Sequence, residues 1–268
     1  MARMSQAGPV QPRVAFPPNW TSRIVTVAIC AYVVYAAQIV DFTWARFLTG
    51  LDQGRRFVAR MFPPDFSADK LDLLYGGLVE SMQIAILATV FGTLISLPLG
   101  IAAARNLAPA PIAWAARGAI ALFRTLHPIV IAILFVKAVG FGALAGTLAL
   151  TVASVGFVSK LVAEAVEEMS MAQVEAVRAT GASFASVIVM GVFPQVMPRF
   201  IGFTAYELDS NLRNSALVGI VGGGGIGAPL FTAFQRFDYD FVLTIVLAII
   251  AIVMVGEVVS GWMRRLFQ

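Results

Sequence analysis

Arg213 stands between Asn211 and Ser215, shortly ahead of the run Gly222-Gly223-Gly224-Gly225-Ile226-Gly227. An always-ionised guanidinium with a planar fork of donors, beside amide, hydroxyl and glycine backbone groups, is chemistry for holding a small oxyanion. The same run satisfies the G-x-G-x-x-G spacing of a dinucleotide-binding turn at Gly222, Gly224 and Gly227. That turn needs a strand before it, a helix after it and an acidic residue about 20 positions on. Here an apolar span precedes the run and another occupies the position where the acid should fall, so the nucleotide reading is set aside. Two readings of the run stay open: irregular backbone between broken helices, lining a cavity and free to change conformation, or a flexible external loop. A second constellation runs from Lys160 to about Ala185 and carries Glu164, Glu167, Glu168, Glu175 and Arg178. It is too polar to sit in lipid. Helical turns up to Thr180 meet Gly181, which stops a helix at its C-terminus, and Ser183 can cap a second short helix. Helix, glycine, helix makes a compact knob able to enter a groove on a partner.

The elements that must position these groups follow from composition. Of the 268 residues 59% are hydrophobic and 13% charged, against about a quarter charged in an ordinary soluble domain. The apolar residues come in long blocks, so the bilayer is the organising solvent and one membrane domain is expected over residues 23–268, behind an N-terminal tail over 1–22. No cleavable signal peptide is expected. Cys30 is the only cysteine and His127 the only histidine, which leaves no internal disulfide and no zinc cluster. The net charge of +4 suits anionic lipid headgroups, and the scattered lysines and arginines argue against nucleic acid.

Six spans are predicted, at about 24–40, 73–104, 112–136, 140–160, 191–212 and 241–262, making an all-α polytopic membrane protein with both termini on one side. The second contains Pro98 as a kink site and carries Gly92, Ser96 and Gly100 at four-residue spacing, which suits close helix packing. Trp44, Phe47, Leu48, Leu51, Val58, Met61 and Phe62 recur at helical spacing with Arg55, Arg56 and Arg60 between them, an amphipathic surface helix ended by Pro63-Pro64. Charge counting decides the orientation weakly: with the N-terminus inside, nine Lys/Arg fall on the cytoplasmic side and seven opposite. Glu80, Arg124, Lys137, Arg199, Glu207, Asp209, Arg213 and Glu257 lie in or near spans, where each must pair, snorkel or line water. For Arg213 the structural alternative is pairing with Glu207 or Asp209. His127 beside Pro128 reads as a helix-breaking packing residue rather than a proton relay.

Glu175-Ala176-Val177, three residues, Gly181, nine residues, then Gly191-Val192-Phe193-Pro194 resembles the E-A-A-x3-G-x9-I-x-L-P loop of binding-protein-dependent ABC importer permeases. It departs at Val177, Gly191 and Phe193 and keeps Glu175, Ala176, Gly181 and Pro194 in place. "MFPPDFS", "FVKAVGFGALAG", "SKLVAEAVEE", "RATGA", "FPQVMP" and "SNLRNSALVGIVGGGGIG" are together similar to the phosphonate-uptake branch of that family, from about residue 60 onward. His127-Pro128 and Gly223 stand where that branch usually has a glutamate and an alanine.

The resemblance implies a MetI-like type I importer permease fold and a coupling loop at about 161–190 on the cytoplasmic face, hence both termini inside the inner membrane. It also implies a homodimer, two ATPase subunits and a periplasmic or lipid-anchored solute-binding protein that delivers phosphonate or a related phosphorus oxyanion. The family pattern places ATPase coupling on Glu175, Ala176, Gly181 and Pro194. The path or gate falls to Asn211, Arg213, Ser215, Gly222, Gly223, Gly224, Gly225 and Gly227. No cofactor is expected, and with no G-x-x-x-x-G-K-[ST] in the chain, ATP would be bound and hydrolysed by another subunit. A secondary transporter or channel subunit and a non-transporting scaffold are the competing classes. The first commonly shows internal repeats, none of which is evident here.

Overall fold

The computed structural model describes residues 20–40 and 43–267, with the side chains of 263–267 left aside. Most of the expected tail over 1–22 therefore lies outside the described residues. Among those described there are only helices: α1 (Trp20–Ile39), α2 (Trp44–Arg60), α3 (Ala68–Ala103), α4 (Ala110–Thr125), α5 (Pro128–Val139), α6 (Ala143–Glu167), α7 (Met171–Ala179), α8 (Phe184–Val187), α9 (Phe193–Ile220), α10 (Gly227–Gln235) and α11 (Tyr239–Phe267). A π-helical stretch, Ile188–Val192, joins α8 to α9. Five helical stretches are long and apolar enough to cross a membrane, six if the bent pair α4–α5 counts as one crossing.

The chain divides near residue 60 into two units. In the first, α1 is apolar and exposed along its length, and α2 has the amphipathic pattern read from its sequence, with Trp44 edge-on to Phe47 and Asp52 paired to Arg56 at 2.7 Å.

In the second unit α3 and α6 form the central pair. The small-residue stripe on α3 is what lets them touch. A Cβ on Gly92 would lie 2.5 Å from the Ser154 Cβ, and one on Gly100 would lie 2.6 Å from Val162 and 2.8 Å from the Ser159 carbonyl. Between them the Ser96 hydroxyl donates to its own helix at the Gly92 carbonyl (2.6 Å), satisfying itself in a site fully closed to solvent. α9 packs across this pair, and α11 lies along α9, where the Ser260 hydroxyl donates to the Ala205 carbonyl at 3.1 Å.

The third predicted span is not one rod. α4 ends at Thr125 and α5 starts at Pro128, with 89° between them. His127 is the cap of α5, its Nδ1 accepting from the Ile129 N–H at 3.3 Å, and Pro128 occupies the first helical turn, where a missing N–H costs nothing. The elbow packs on Gly156 of α6, where a Cβ would meet Phe123 at 2.9 Å. α6 runs on to Glu167, beyond the expected 160, and α9 runs on to Ile220, beyond the expected 212.

Candidate functional site

Two regions at opposite ends of α9 hold the residues singled out by the sequence. Its 28 residues span about 42 Å at ~1.5 Å per residue, enough to cross a hydrocarbon core of about 30 Å.

At the Phe193 end lies the knob. α7 buries Val174 and turns Glu175 and Ala176 outward. Gly181 follows with φ +76° and nothing within 4 Å of where its Cβ would be, the open left-handed stop that the local pattern foretold. The Ser183 hydroxyl caps α8 by accepting from the Ser186 N–H at 3.3 Å. Pro194 is exposed in the first turn of α9, and Phe184, Val189 and Met190 add bare apolar surface. Gly191 is buried against Val174, its would-be Cβ 3.3 Å from the Val174 Cα.

What fixes the knob to the helices escaped the sequence reading. Gln195 clamps the residue that opens α7: its Oε1 accepts from the Ser170 N–H (3.1 Å) and its Nε2 donates to the Ser170 and Gly191 carbonyls (3.2 and 2.7 Å). Arg199 pairs with Glu168 at 2.8 Å, and Glu167 accepts from Arg117 (2.6 Å) and from the Arg105 N–H (2.8 Å). The Asn106 amide donates to the Val166 carbonyl at 2.8 Å. The cap of α7 is thus tied to α9 through Gln195, and the end of α6 just before it is tied to α4, α9 and the segment after α3, so the knob is held by directional bonds rather than hung on a slack loop.

At the Ile220 end the glycine run is a packing junction. Gly222, Gly224 and Gly225 have φ of +95°, +80° and +75°. The Gly142 N–H donates to the Gly222 carbonyl (2.9 Å) and the Ile226 N–H to the Ser81 hydroxyl (2.9 Å). Gly146 lies on the Gly223 carbonyl, and Gly227 packs on Ala216 and Gly219. Four elements, α3, α6, α9 and α10, meet where any side chain would collide. Gly223, Gly224, Gly225 and Gly227 are buried and Gly222 partly so. α10 itself was not foreseen. Beside this junction, Lys70 bridges Asp65 (2.7 Å) and Asp238 (2.8 Å), and its hydrogen bond holds the Asp65 carboxyl below the usual carboxylate range.

Between the two ends runs a buried polar chain. Asn211, 1% exposed, donates to the Thr89 and Ser154 hydroxyls, both at 3.0 Å, and Ser154 donates to the Glu207 Oε1 at 2.6 Å. α3, α6 and α9 are joined by it at mid-depth. Ser215 is wholly buried and donates to the Leu212 carbonyl. Arg213, its side chain 45% exposed, pairs with Asp209 at 2.6 Å, one of the two acids named as its structural partner. The other oxygen of Asp209 is buried without a partner.

Arg213→Ala is therefore expected to leave Asp209 uncompensated and to lower the melting temperature of the purified protein, with a cost of roughly 1–3 kcal/mol once the half-exposed position is allowed for. Asp209→Ala added to it should recover most of that loss. If the single alanine variant melts like the parent, the pair does not hold the helix.

An all-helical bundle with a tethered helix-glycine-helix knob at one end defines the class of ABC importer permease folds. The chain superposes on a chain of the MetNI methionine ABC transporter, solved in inward-facing conformations, with a TM-score of 0.68 at 22% identity, covering 76% of this chain and all of that one. Residues 96–268 match the family described as the binding-protein-dependent transport system inner membrane component, and the chain belongs to it. Among curated relatives, the phosphate-import permease PhnE of Mycolicibacterium smegmatis is 37% identical over 97% of this chain, which spans 48% of that protein's length. The phosphite transport permease PtxC of Stutzerimonas stutzeri is 36% identical over 94% of this chain and 92% of its own. The protein is a multi-pass membrane transport subunit.

Proposed function

We propose that the chain is the permease half of an ATP-driven importer of phosphonate or a related phosphorus oxyanion, such as phosphite or phosphate. The observation that carries this reading is the exposed, bond-anchored knob at α7–α8, together with relatives whose names give phosphate and phosphite as cargo. Two copies of the chain form the path, and an ATPase subunit grips each knob at Glu175, Ala176, Gly181 and Pro194. A solute-binding protein docks on the opposite side. Closing of the ATPases pushes the knobs as rigid bodies, and the bonds from Gln195 and Glu167 pass that motion to α9, α3 and α4, which rock between inward-open and outward-open. Arg213 draws the anion toward the path, Asn211 holds α9 against α3 and α6 with Ser215 buried a turn further on, and the junction Gly222–Gly227 is the gate around which it moves. The knob and both termini face the cytoplasm.

Co-expression with an ATPase subunit and a binding protein, followed by proteoliposome uptake of methylphosphonate, tests the reading. ATP-dependent accumulation that is blocked by excess phosphite is the expected result. A cysteine at Ser183 should react with an impermeant thiol reagent only after the inner membrane is opened, and one at Ser67 before. Uptake without any ATPase chain would turn the assignment toward a secondary transporter.

A further inference from the structure

A cleft of about 310 Å³ opens at the α4–α5 elbow and runs between α6 and α9. Glu207, on its floor, lies about 20 Å from either end of α9 at ~1.5 Å per residue, so the cleft sits midway across the membrane. Its polar lining is unusual for that depth: Arg124, Tyr206, Glu207, Ser210 and Asn214 all reach it, with Phe157 stacked on Tyr206 at 5.7 Å as its apolar wall. Arg124 makes no hydrogen bond or ion pair among the described residues, whereas Arg117, two turns earlier on α4, is paired with Glu167. A free guanidinium at mid-depth costs several kcal/mol if it faces lipid, so it faces water or a ligand. Glu207 is 5% exposed; Ser154 binds its Oε1, while its Oε2 accepts nothing and is left open to the cleft.

We propose that this cleft is a transit subsite for a monoprotonated phosphorus oxyanion, recognised by opposed groups. Arg124 donates to the ionised oxygens, with Ser210 and Asn214 beside it. The Glu207 carboxylate accepts the hydrogen of the ligand's P–OH, and the P–H or P–CH3 face lies on the Phe157 wall. The elbow shapes the site: the chain turns by 89° after Arg124, and Leu126 and Pro128 at the turn close the cleft beside it. The carboxylate sets specificity. A monoanionic phosphonate or phosphite offers it a hydroxyl hydrogen, whereas sulfate has none at neutral pH and meets bare like charge. A phospholipid phosphodiester lacks that hydrogen too. The inference rests on the importer reading and adds to it that the permease, and not the binding protein alone, selects the cargo.

The test uses the full permease assembled with its ATPase in nanodiscs, without binding protein, and follows 31P line broadening of added phosphite. Wild type should bind phosphite weakly and hold it against excess sulfate. Arg124→Gln, an exposed change, should raise the phosphite Kd about tenfold or more, with Arg124→Lys in between. Glu207→Gln should keep phosphite binding but let sulfate compete, cutting the preference by about tenfold. Values that are equal in phosphatidylcholine and phosphatidylglycerol discs support a free oxyanion, and a Kd that climbs with phosphatidylglycerol would assign the cleft to a lipid headgroup. A transporter that imports methylphosphonate while its wild-type permease broadens no phosphite signal overturns the subsite alone. One that binds phosphite here yet imports no phosphorus oxyanion overturns the importer reading alone.

Discussion

Glu175→Lys is expected to yield a folded, membrane-inserted permease that no longer retains its ATPase and loses uptake by two orders of magnitude or so. Glu175 is exposed and forms no hydrogen bond or ion pair among the described residues, so its replacement touches no packing. The inward contact of α7 is carried by its neighbour Val174, fully buried with Val158, Val162 and Val187. Exposed changes of this kind typically shift stability by within about 0.5 kcal/mol. At a docked interface the same change places like charge against whatever cation the partner offers, which costs several kcal/mol and in rate terms about a hundredfold. Pull-down of the ATPase by the tagged variant, melting temperature and uptake are the three measurements. A variant that melts normally, retains its ATPase and transports at the parental rate would show that α7 is not where the ATPase holds on.

How much of this could be read from the chain depends on how far apart the cooperating residues lie. The knob was legible because its signals are local: Gly181 ends α7 by its own backbone freedom, and Ser183 caps a helix three residues on. The α3 stripe was legible for a related reason, since Gly92, Ser96 and Gly100 share a face by helical period alone. The α4–α5 elbow was legible only in part: His127 beside Pro128 read as a helix-breaking position, yet 112–136 was still taken as one span, because hydropathy carries no direction. Pro128 favours the start of a new helix over the continuation of the old one, but the 89° departure, with Phe123 packed on Gly156, only the fold could supply. Gln195 was passed over and Glu207 was named without its true partner for the same reason, those partners lying 25 and 53 residues away in sequence. The Arg213–Asp209 pair, four residues apart, was within reach and stood as one of two alternatives. The glycine run stood between cavity-lining irregular backbone and a flexible external loop, and its dense packing against Ala143, Gly146 and Ser81 only the fold could supply.

That packing makes Gly224 and Gly181 a matched pair with opposite expected fates. Both hold left-handed backbone, with φ of +80° and +76°, so an alanine costs each of them a similar amount, about 1–3 kcal/mol. Gly181 has nothing within 4 Å to collide with. Gly181→Ala should therefore fold, with a modest loss of melting temperature, and should weaken ATPase retention because the strained stop re-angles α8 against α7. At Gly224 the added methyl would sit 2.7 Å from the Ala143 nitrogen and 2.9 Å from its Cα, and 2.7 Å from Glu80 Oε1. Glu80 can swing aside, but the Ala143 backbone begins α6 and cannot move without dragging the α3–α6 pair. Overpacking of that kind adds roughly 1–3 kcal/mol to the strain, a large share of the stability of an ordinary domain. Gly224→Ala should accordingly give little monodisperse protein and a melting temperature far below that of Gly181→Ala, measured on both variants in the same detergent. If instead Gly224→Ala melts like the parent while uptake falls, the junction yields without unfolding the bundle. The glycines would then serve the gate without also being the joint that holds α3, α6 and α9 together.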